Sequence, residues 1–315
     1  MSASRVFARV EAWFFAPQPI DAMVLARILL GSALASSYAI RFREVQAVWG
    51  PEGFAGPAWF TDLYRRPAAV QQVLDALSPG TPPSELLIWA LYAGVVLASL
   101  AFALGFRTRT AGVLALLIHM YLQRGRMPLA YWGWAVQIQP LFFYVVCSRA
   151  GRFASVDAWL ARRRNPSPGA ANDWVGPAWP MRLLMIHTTL MYLTSGGERL
   201  DDAGWLHGQS VWIALSNSIY SKVGFDWTPY KTVLHVSTLG TYVLEATAPI
   251  LLWVPRIGVV VVYLSLAMHA GLEALTLVGY WNFCMVAGLL CFLPVSHLRV
   301  LTRRFPMGPR EAETS

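Results

Sequence analysis

The chain has 315 residues, of which 56% are hydrophobic and only 13% are charged, and its formal net charge is +8. About a quarter of the residues in an average soluble domain are charged, so this composition excludes an ordinary soluble enzyme or binding domain. The basic residues are almost all arginines in short segments between apolar runs, which argues against a nucleic-acid-binding face. The sequence therefore predicts an all-α, polytopic membrane helix bundle.

Residues 1–21 predict a helix that lies at the membrane interface. Apolar side chains recur there at helical spacing beside Arg5 and Arg9. The apolar run is too short for a signal peptide, and no small-residue cleavage site follows it. We therefore expect an interfacial helix that precedes a transmembrane domain over residues 22–298.

Roughly eight apolar runs follow and are candidates for membrane spans. They lie near residues 22–40, 86–106, 110–123, 131–147, 181–196, 233–254, 256–275 and 279–294. Several are shorter than the ~20 residues that a lone helix needs to cross a bilayer. These shorter spans should be tilted, broken or shielded by neighbouring helices.

The positions of the arginines predict the orientation in the membrane. With eight spans, most arginines fall on one side: Arg5, Arg9, Arg107, Arg109, Arg149 to Arg164, Arg256, Arg299, Arg303 and Arg304. By the positive-inside rule that side is cytoplasmic, with both termini and a tail of residues 299–315 on it. Arg124 and Arg126 are the exception. The expected location is the inner (plasma) membrane of a cell.

Three segments connect the predicted spans at greater length. We expect two ordered non-cytoplasmic loops, at about residues 42–85 and 197–232, the first rich in Gly and Pro and the second holding a short amphipathic helix. On the cytoplasmic side, residues 148–178 have the composition of a polar linker, with a short helix near Val156 to Arg163.

Ionisable groups inside spans are costly and are therefore functional candidates, with hydrogen bonding between helices as the competing explanation. They are His119, His187, His235, Glu245, His269 and Glu273. His269 and Glu273 are four residues apart, so they share a helix face and could share a proton. We expect structural roles for His119 and His235, which lie near span ends, whereas His207 could carry protons in a loop. The three cysteines read as buried apolar residues, and no metal-ligand spacing is present.

An apolar run from Trp179 ends in a charged turn, which contains Glu198, Arg199, Asp201 and Asp202 and is followed by Trp205. One interpretation is a solvated helix end with mutually screened charges. The other is a site for an anionic ligand or a peptide, with Arg199 as its fixed cation. His187 precedes Arg199 by about three helical turns, so we expect it on the same pore-side stripe.

This segment resembles the vitamin K-dependent gamma-carboxylase superfamily, in particular its HTTM branch. There, a helix that begins Trp-x-x-Arg-Leu-Leu ends in a Gly-x-x-Lys-Leu turn and continues to Trp-x-x-Gly. The matching residues are Trp179, Arg182, Leu183, Leu184, Tyr192, Gly196, Leu200, Trp205 and Gly208. Further similarity lies in the Arg-Ile-Leu helix from Arg27, in Ser155 to Ala158, and at Glu245, His269, Gly279 and Met285. The resemblance covers residues ~22 to 295.

The resemblance implies a membrane enzyme in which a lysine deprotonates a reduced vitamin K. Here Arg199 occupies the lysine position, and arginine keeps its proton whereas a buried lysine can lose it. The histidine of the family's Asn-His-Tyr-Trp segment is also missing from residues 151–154. We therefore expect no ordinary vitamin K-dependent carboxylation. A reduced quinone of the vitamin K type is implied only by the resemblance.

Three functions remain open. The first is a diverged enzyme or accessory protein that acts on a peptide or lipid-soluble substrate. Its catalytic candidates are Arg199, Glu198, His187 and His269, and its binding candidates are Glu245, Glu273, Asp201, Asp202 and Trp205. The second is a non-enzymatic maturation, export or immunity factor for a secreted peptide, as the related SdpB-type proteins are thought to be. The third is a proton-coupled transporter. The expected partners are the lipid bilayer and a secreted peptide or quinone, not nucleic acid.

Overall fold

The computed structural model describes residues 3–50, 84–125, 133–164 and 174–302. The described chain is mainly helical, with one short antiparallel pair of strands, β1 (Pro17–Pro19) and β2 (Val175–Pro177). The helices before β2 are α1 (Ala3–Phe15), α2 (Asp21–Ala39), α3 (Val45–Trp49), α4 (Glu85–Leu104), α5 (Thr108–Met120), α6 (Gly133–Cys147) and α7 (Val156–Arg164). After β2 come α8 (Trp179–Glu198), α9 (Ala203–Leu206), α10 (Ser210–Ser216), α11 (Lys231–Leu251), α12 (Ile257–Leu275), α13 (Trp281–Leu289) and α14 (Val295–Thr302).

The helices agree with a membrane protein. Among the described residues, three helices are long and apolar enough to cross a bilayer by length and composition, namely α2, α4 and α12. Shorter apolar helices lie at Gly133–Cys147 and Trp281–Phe292. Each run predicted as a span overlaps a helix of the structure. The prediction of a helical membrane protein is confirmed, whereas the number of eight spans stays a prediction.

Some predicted segments lie outside the described residues. These are most of the first loop, from residue 51 to residue 83, residues 126–132 with Arg126, residues 165–173 of the linker, and the tail from residue 303. The second loop is described in full. It contains α9 and α10 and two single 3₁₀ turns, at Arg199–Asp201 and Thr228–Tyr230.

The described residues divide into a central unit, within residues 27–168, and a terminal unit, within residues 1–26 and 169–315. In the central unit α4 and α5 form a hairpin. Gly105 ends α4 with a φ of +71°, and Phe106 N donates back to Ala101 O at 2.8 Å. A left-handed glycine with this bond is the usual way to end a helix and turn the chain sharply.

Arg27 organises the centre of the central unit. Its side chain is fully buried, and its guanidinium donates to the carbonyl oxygens of Ala150 at 2.7 Å and Ala154 at 2.5 Å. Three residues after Ala154, the carboxylate of Asp157 accepts from the backbone N–H groups of Arg107 at 2.7 Å and Thr108 at 2.9 Å. These bonds fix the turn before α7 and cap the start of α5.

The interpretation of residues 148–178 as a polar linker is wrong for its first part. Ala150, Phe153, Ala154, Ser155 and Ala158 are buried in the central unit. The polar composition suggested a linker that packs against nothing. The turn is buried instead because Arg27, which precedes it by more than a hundred residues, donates hydrogen bonds to its carbonyl groups. The short helix that was predicted in this segment is present as α7.

The terminal unit is built on α8, α11, α12 and α13. Its core joins Met191 and Tyr192 of α8 with residues of the other three helices. Glycines allow close approach: a Cβ at Gly288 of α13 would lie 1.8 Å from the Thr188 hydroxyl. The unit also ties the two ends of the chain together, because Thr302 Oγ1 donates to Asp21 Oδ1 at 3.1 Å.

Candidate functional site

Arg199 forms an ion pair with a buried carboxylate. Its Nη1 contacts Glu245 Oε2, and the two side chains are 18% and 6% exposed. Ser195, one helical turn before Arg199, donates from Oγ to the same Oε2 at 2.8 Å. The pair forms because α8 and α11 approach closely at Gly196, where a Cβ would lie 3.1 Å from the Cα of Ala246. Arg199 is therefore a neutralised cation rather than a free one.

An aromatic ring covers the guanidinium of Arg199. The ring of Trp205 lies 3.8 Å from the guanidinium carbon, which is close enough for a cation–π interaction. Asp202 sets the position of this ring, because its Oδ1 accepts from Gly204 N at 2.7 Å and Trp205 N at 3.3 Å and so caps α9. The charged turn is thus a built structure and not only a solvated helix end.

His269 lies in a second set of polar contacts, between helices α8, α12 and α13. Its Nδ1 is 2.9 Å from Asn282 Oδ1, and its Nε2 is 3.0 Å from the hydroxyl of Tyr192. Asn282 Nδ2 donates to Glu273 Oε2 at 3.0 Å, which orients the amide. Because an amide oxygen only accepts, Nδ1 of His269 carries the proton and Nε2 accepts from Tyr192.

The series of hydrogen bonds that starts at Tyr192 ends at the carboxylate of Glu273. His269 and Glu273 do not meet directly, as their spacing suggested, but are joined through Asn282. Since the amide can donate to one neighbour and accept from the other without passing on a proton, this arrangement orients His269 rather than relaying protons. It gives little support to a proton-conducting role.

A loop lysine closes this chain on its exposed side. Lys222 Nζ pairs with Glu273 Oε1 at 2.9 Å, and the two side chains are 34% and 38% exposed. The loop is held there by an antiparallel bridge between Ser221 and Thr276, in which Lys222 N donates to Leu275 O at 2.9 Å. This bridge positions the lysine over the carboxylate.

The two sets of contacts form one polar site. Arg199 and Glu245 lie close enough to act electrostatically on both Tyr192 and His269. We call the eight residues together the polar cluster: Tyr192, Ser195, Arg199, Lys222, Glu245, His269, Glu273 and Asn282. Opposite charges balance within each ion pair, and in the largely buried Arg199–Glu245 pair this balance offsets part of the cost of burying charge in an apolar bundle.

The structure brings some predicted site residues together and not others. Arg199, Glu245, Trp205, His269 and Glu273 belong to the polar cluster or cover it. Glu198, Asp201 and Asp202 are exposed, and the contacts of Asp202 serve to cap α9.

His187 is half-buried on another face of α8. It precedes Tyr192 by five residues, or roughly 140° around the helix, so it does not share the stripe predicted for it.

Sequence reasoning did not name four members of the polar cluster as site residues. Tyr192 was noted only as a residue that matches the family pattern. Asn282 and Ser195 carry no charge, so a search for ionisable groups in spans passes over them. Lys222 is brought in by a bridge between distant segments. Two histidines predicted as structural differ in setting: His119 is buried between the Tyr38 hydroxyl and Ala135 O, at 2.9 Å and 2.8 Å, whereas His235 is exposed.

A groove of about 560 Å³ lies beside the charged turn, in the second loop and the start of α11. It is lined by His207, Gly208, Gln209, Trp212, Lys231, Thr232 and His235. Lys231 Nζ lies 5.3 Å from the centre of the Trp212 ring, and no carboxylate lines the groove. Such a lining suits an acidic or aromatic ligand.

A reduced quinone of the vitamin K type would need an available base beside its hydroxyl. Arg199 keeps its proton and is paired with Glu245, and both ring nitrogens of His269 are engaged. The polar cluster does not fit that cofactor's chemistry. Among the described residues, no group of three or more His, Cys, Asp or Glu side chains could hold a metal ion.

The fold and the polar cluster together define a helical membrane protein with a charged centre between its helices. A comparison with known families identifies which one. The model of the HTTM domain matches residues 15–297, so the chain belongs to the HTTM domain family. The predicted family is thereby confirmed. Neither a curated protein nor a solved structure matches the chain significantly.

Proposed function

We propose that the chain is a multi-pass plasma-membrane protein with about eight spans and both termini in the cytoplasm. The arginine distribution supports this orientation, as does the overlap of every predicted span with a helix. In this arrangement α8 runs outward, and the charged turn and the groove face the non-cytoplasmic side.

The topology is tested with two cysteine variants, Arg164→Cys and Ala203→Cys. We expect a membrane-impermeant thiol reagent to label position 203 in intact cells and position 164 only after the membrane is opened. The native cysteines are buried or half-buried, so the parent protein sets the background. Equal labelling of both positions from outside would contradict the proposed orientation.

We further propose that this protein acts on a secreted peptide or lipid-soluble substrate as an accessory factor, without vitamin K-dependent carboxylation. The observation that carries this is the state of Arg199, at the position of the family's basic lysine. A guanidinium that is held by Glu245 and covered by Trp205 cannot accept a proton. The site therefore lacks the step that starts the carboxylase reaction.

The second loop supplies a surface for a peptide. Several of its apolar side chains are exposed, with Ile219 at 73% and Tyr220 at 54%. The neighbouring groove adds Lys231 and two histidines without a carboxylate. An exposed apolar surface next to a cationic groove suits a peptide that carries both apolar and acidic residues.

The absence of carboxylation is tested by incorporation of labelled bicarbonate into a glutamate-rich peptide, with reduced vitamin K present. We expect no incorporation above a no-enzyme control for the wild type. The Arg199→Lys variant tests whether the rest of the site could support carboxylation once a lysine is restored. We expect this variant to stay inactive, because both nitrogens of His269 are hydrogen-bonded. Robust incorporation by the wild type would overturn the proposal.

Peptide binding is tested separately, by the fluorescence anisotropy of a fluorescently labelled form of the same glutamate-rich peptide, with the protein in nanodiscs. We expect Lys231→Gln to weaken binding about fivefold, because it removes the one lysine that lines the groove. Arg109→Gln, an equal charge change at an exposed residue of the central unit, serves as the control. Equal weakening by both variants would show non-specific attraction and contradict the groove as the binding site.

A further inference from the structure

The terminal unit has a second cavity, of about 370 Å³, at the opposite ends of the helices that carry the polar cluster. Arg182, in the first turn of α8, and Arg256, in the turn between α11 and α12, both line it. No aspartate or glutamate is among its lining residues. The ion pairs of the described chain join other residues, so neither arginine has a carboxylate partner within it.

Four helices begin at this cavity. Ala22 belongs to the first turn of α2, Arg182 to that of α8, Gly258 and Val259 to that of α12, and Val295 to that of α14. The first turns of α8, α12 and α14 contain no acidic residue, whereas that of α2 holds Asp21, which accepts a hydrogen bond from Thr302. The positive ends of the α8, α12 and α14 dipoles therefore add to the charge of the two arginines. The charged side chains that line the cavity, Arg182 and Arg256, are both positive.

Arg182 is held so that its guanidinium faces the cavity. Its Nε donates to Trp13 O at 3.4 Å, and its guanidinium carbon lies 4.7 Å from the centre of the Trp13 ring. Stacking on an aromatic face leaves the edge of the planar fork of donors accessible. One donor of that fork, Nη1, makes a weak bond to the sulfur of Met185 at 3.5 Å, which a phosphate oxygen would replace. That fork matches the oxygens of a phosphate group, which it can bind with two parallel hydrogen bonds.

Arg256 occupies a backbone position where glycine is normally found. Its φ is +68° and its ψ is −49°, and Ile257 N donates to Pro255 O at 2.9 Å. This is a γ-turn of the rare, strained form. Strain that is kept at a particular residue points to a requirement for its side chain. Here the side chain is the second guanidinium of the cavity.

The surroundings of the cavity suit the boundary of a bilayer. Trp253 packs against both Trp13, with ring centres 6.0 Å apart, and Phe292, at 5.2 Å. The adjoining α1 exposes Phe7 at 72% and Phe15 at 62%. Tryptophans and an amphipathic helix are typical of the interface between headgroups and acyl chains.

We propose that this cavity binds the phosphate group of an anionic membrane phospholipid, with Arg182 and Arg256 as its ligands. The apolar rim and α1 favour a lipid over free phosphate, because they offer a surface to the acyl chains of the same molecule. The volume suits a headgroup. The proposal is independent of the peptide-binding function, since it uses the other end of the helices.

The experiment measures lipid retention by native mass spectrometry of the full chain, released from nanodiscs that contain phosphatidylglycerol and phosphatidylcholine. We expect one phosphatidylglycerol to be retained in preference to phosphatidylcholine. Arg182→Gln and Arg256→Gln should each reduce that retention about tenfold. Arg109→Gln should leave it unchanged. Equal retention of the two lipids by the wild type, or an equal loss in Arg109→Gln, would overturn the proposal.

A further variant, Arg256→Gly, separates binding from structure. Glycine relieves the turn, so the delipidated protein should gain thermal stability while lipid retention falls about tenfold. A loss of both stability and retention would show a structural role for Arg256 and contradict the proposal. In a final arm, inorganic phosphate is added up to 10 mM, on the order of a weak ligand's range. Displacement of the lipid at low phosphate would assign the cavity to soluble phosphate instead.

Discussion

Two arginines among apolar helices illustrate different uses of the same side chain. Arg27 in the central unit is fully buried, and within the described parts of the chain its hydrogen bonds go to backbone carbonyl oxygens. Arg199 in the terminal unit is 18% exposed, faces the carboxylate of Glu245 and lies under Trp205. The first donates to the backbone of a turn, and the second is balanced by another side chain.

The difference teaches how to distinguish a structural arginine from one at a candidate site. Carbonyl groups cannot leave a turn, so an arginine that serves them has a fixed role. A carboxylate and a tryptophan are side chains that can move, and partial exposure leaves room for a ligand to compete for them. The predictions below follow this comparison from the largest expected effect to the smallest.

Loss of Arg27 should have the largest effect. Arg27→Met removes the donors to Ala150 O and Ala154 O and leaves those buried carbonyls unsatisfied. We expect a loss of about 3 kcal/mol or more in the free energy of unfolding. Thermal unfolding in detergent checks this, with Arg162→Gln on α7 as the control. A loss below that of Arg199→Met would reverse the comparison.

The Arg199–Glu245 pair should show a smaller, mutual effect. A double-mutant cycle of Arg199→Gln and Glu245→Gln is expected to give a coupling energy of about 1–3 kcal/mol, because the carboxylate is nearly buried. Chemical unfolding of the four proteins in detergent measures it. A coupling energy near zero would mean that the two charges are solvated independently.

Two aspartates cap helices, one in each unit, and their substitution measures the strength of these caps. Asp157 accepts from two backbone N–H groups and the Thr108 hydroxyl at the start of α5, whereas Asp202 caps only the short α9. We expect Asp157→Ala to cost about 2 kcal/mol and Asp202→Ala about 1 kcal/mol. Thermal unfolding compares them, with the matched asparagine variants expected to recover part of each loss. The opposite order would contradict the assignment of Asp157.

Removal of the Trp205 ring should have the smallest effect on stability. Trp205→Leu is expected to cost roughly 0.5–1 kcal/mol, the size of an accessible cation–π contact. Its clearer result should be chemical, since Arg199 loses its cover. Mass spectrometry should find faster phenylglyoxal modification at Arg199 and none at the buried Arg27. Unchanged modification of Arg199 would show that the ring does not shield it.

The helices were predictable because apolar runs of this length have few alternatives in a membrane protein. The run before Arg199 predicts α8, and the Gly-rich turn predicts where it ends. Arg199 was visible as a candidate site residue as well, because a charge at the end of an apolar run stands out. The packed turn before α7 was not predictable, because it is held by Arg27, which lies far away in the sequence.

The pairing of the polar cluster was beyond sequence reasoning for a physical reason. Arg199 meets Glu245 because Gly196 lets two helices approach, and helix rotation decides which residues face each other. One residue in register separates Thr188, which is buried against α13, from His187, which is only half-buried. Asn282 gave no signal, because an amide between two charged residues becomes informative only when its partners are known.

The contact between Thr302 and Asp21 has a consequence for the order of synthesis. The terminal unit contains residues from both ends of the chain, and this contact spans 281 positions. A ribosome that delivers the chain from the N-terminus completes the central unit first, while Asp21 still waits for its partner. The terminal unit can close only after α14 has left the ribosome, so truncation of α14 should leave α2 without its contact to Thr302.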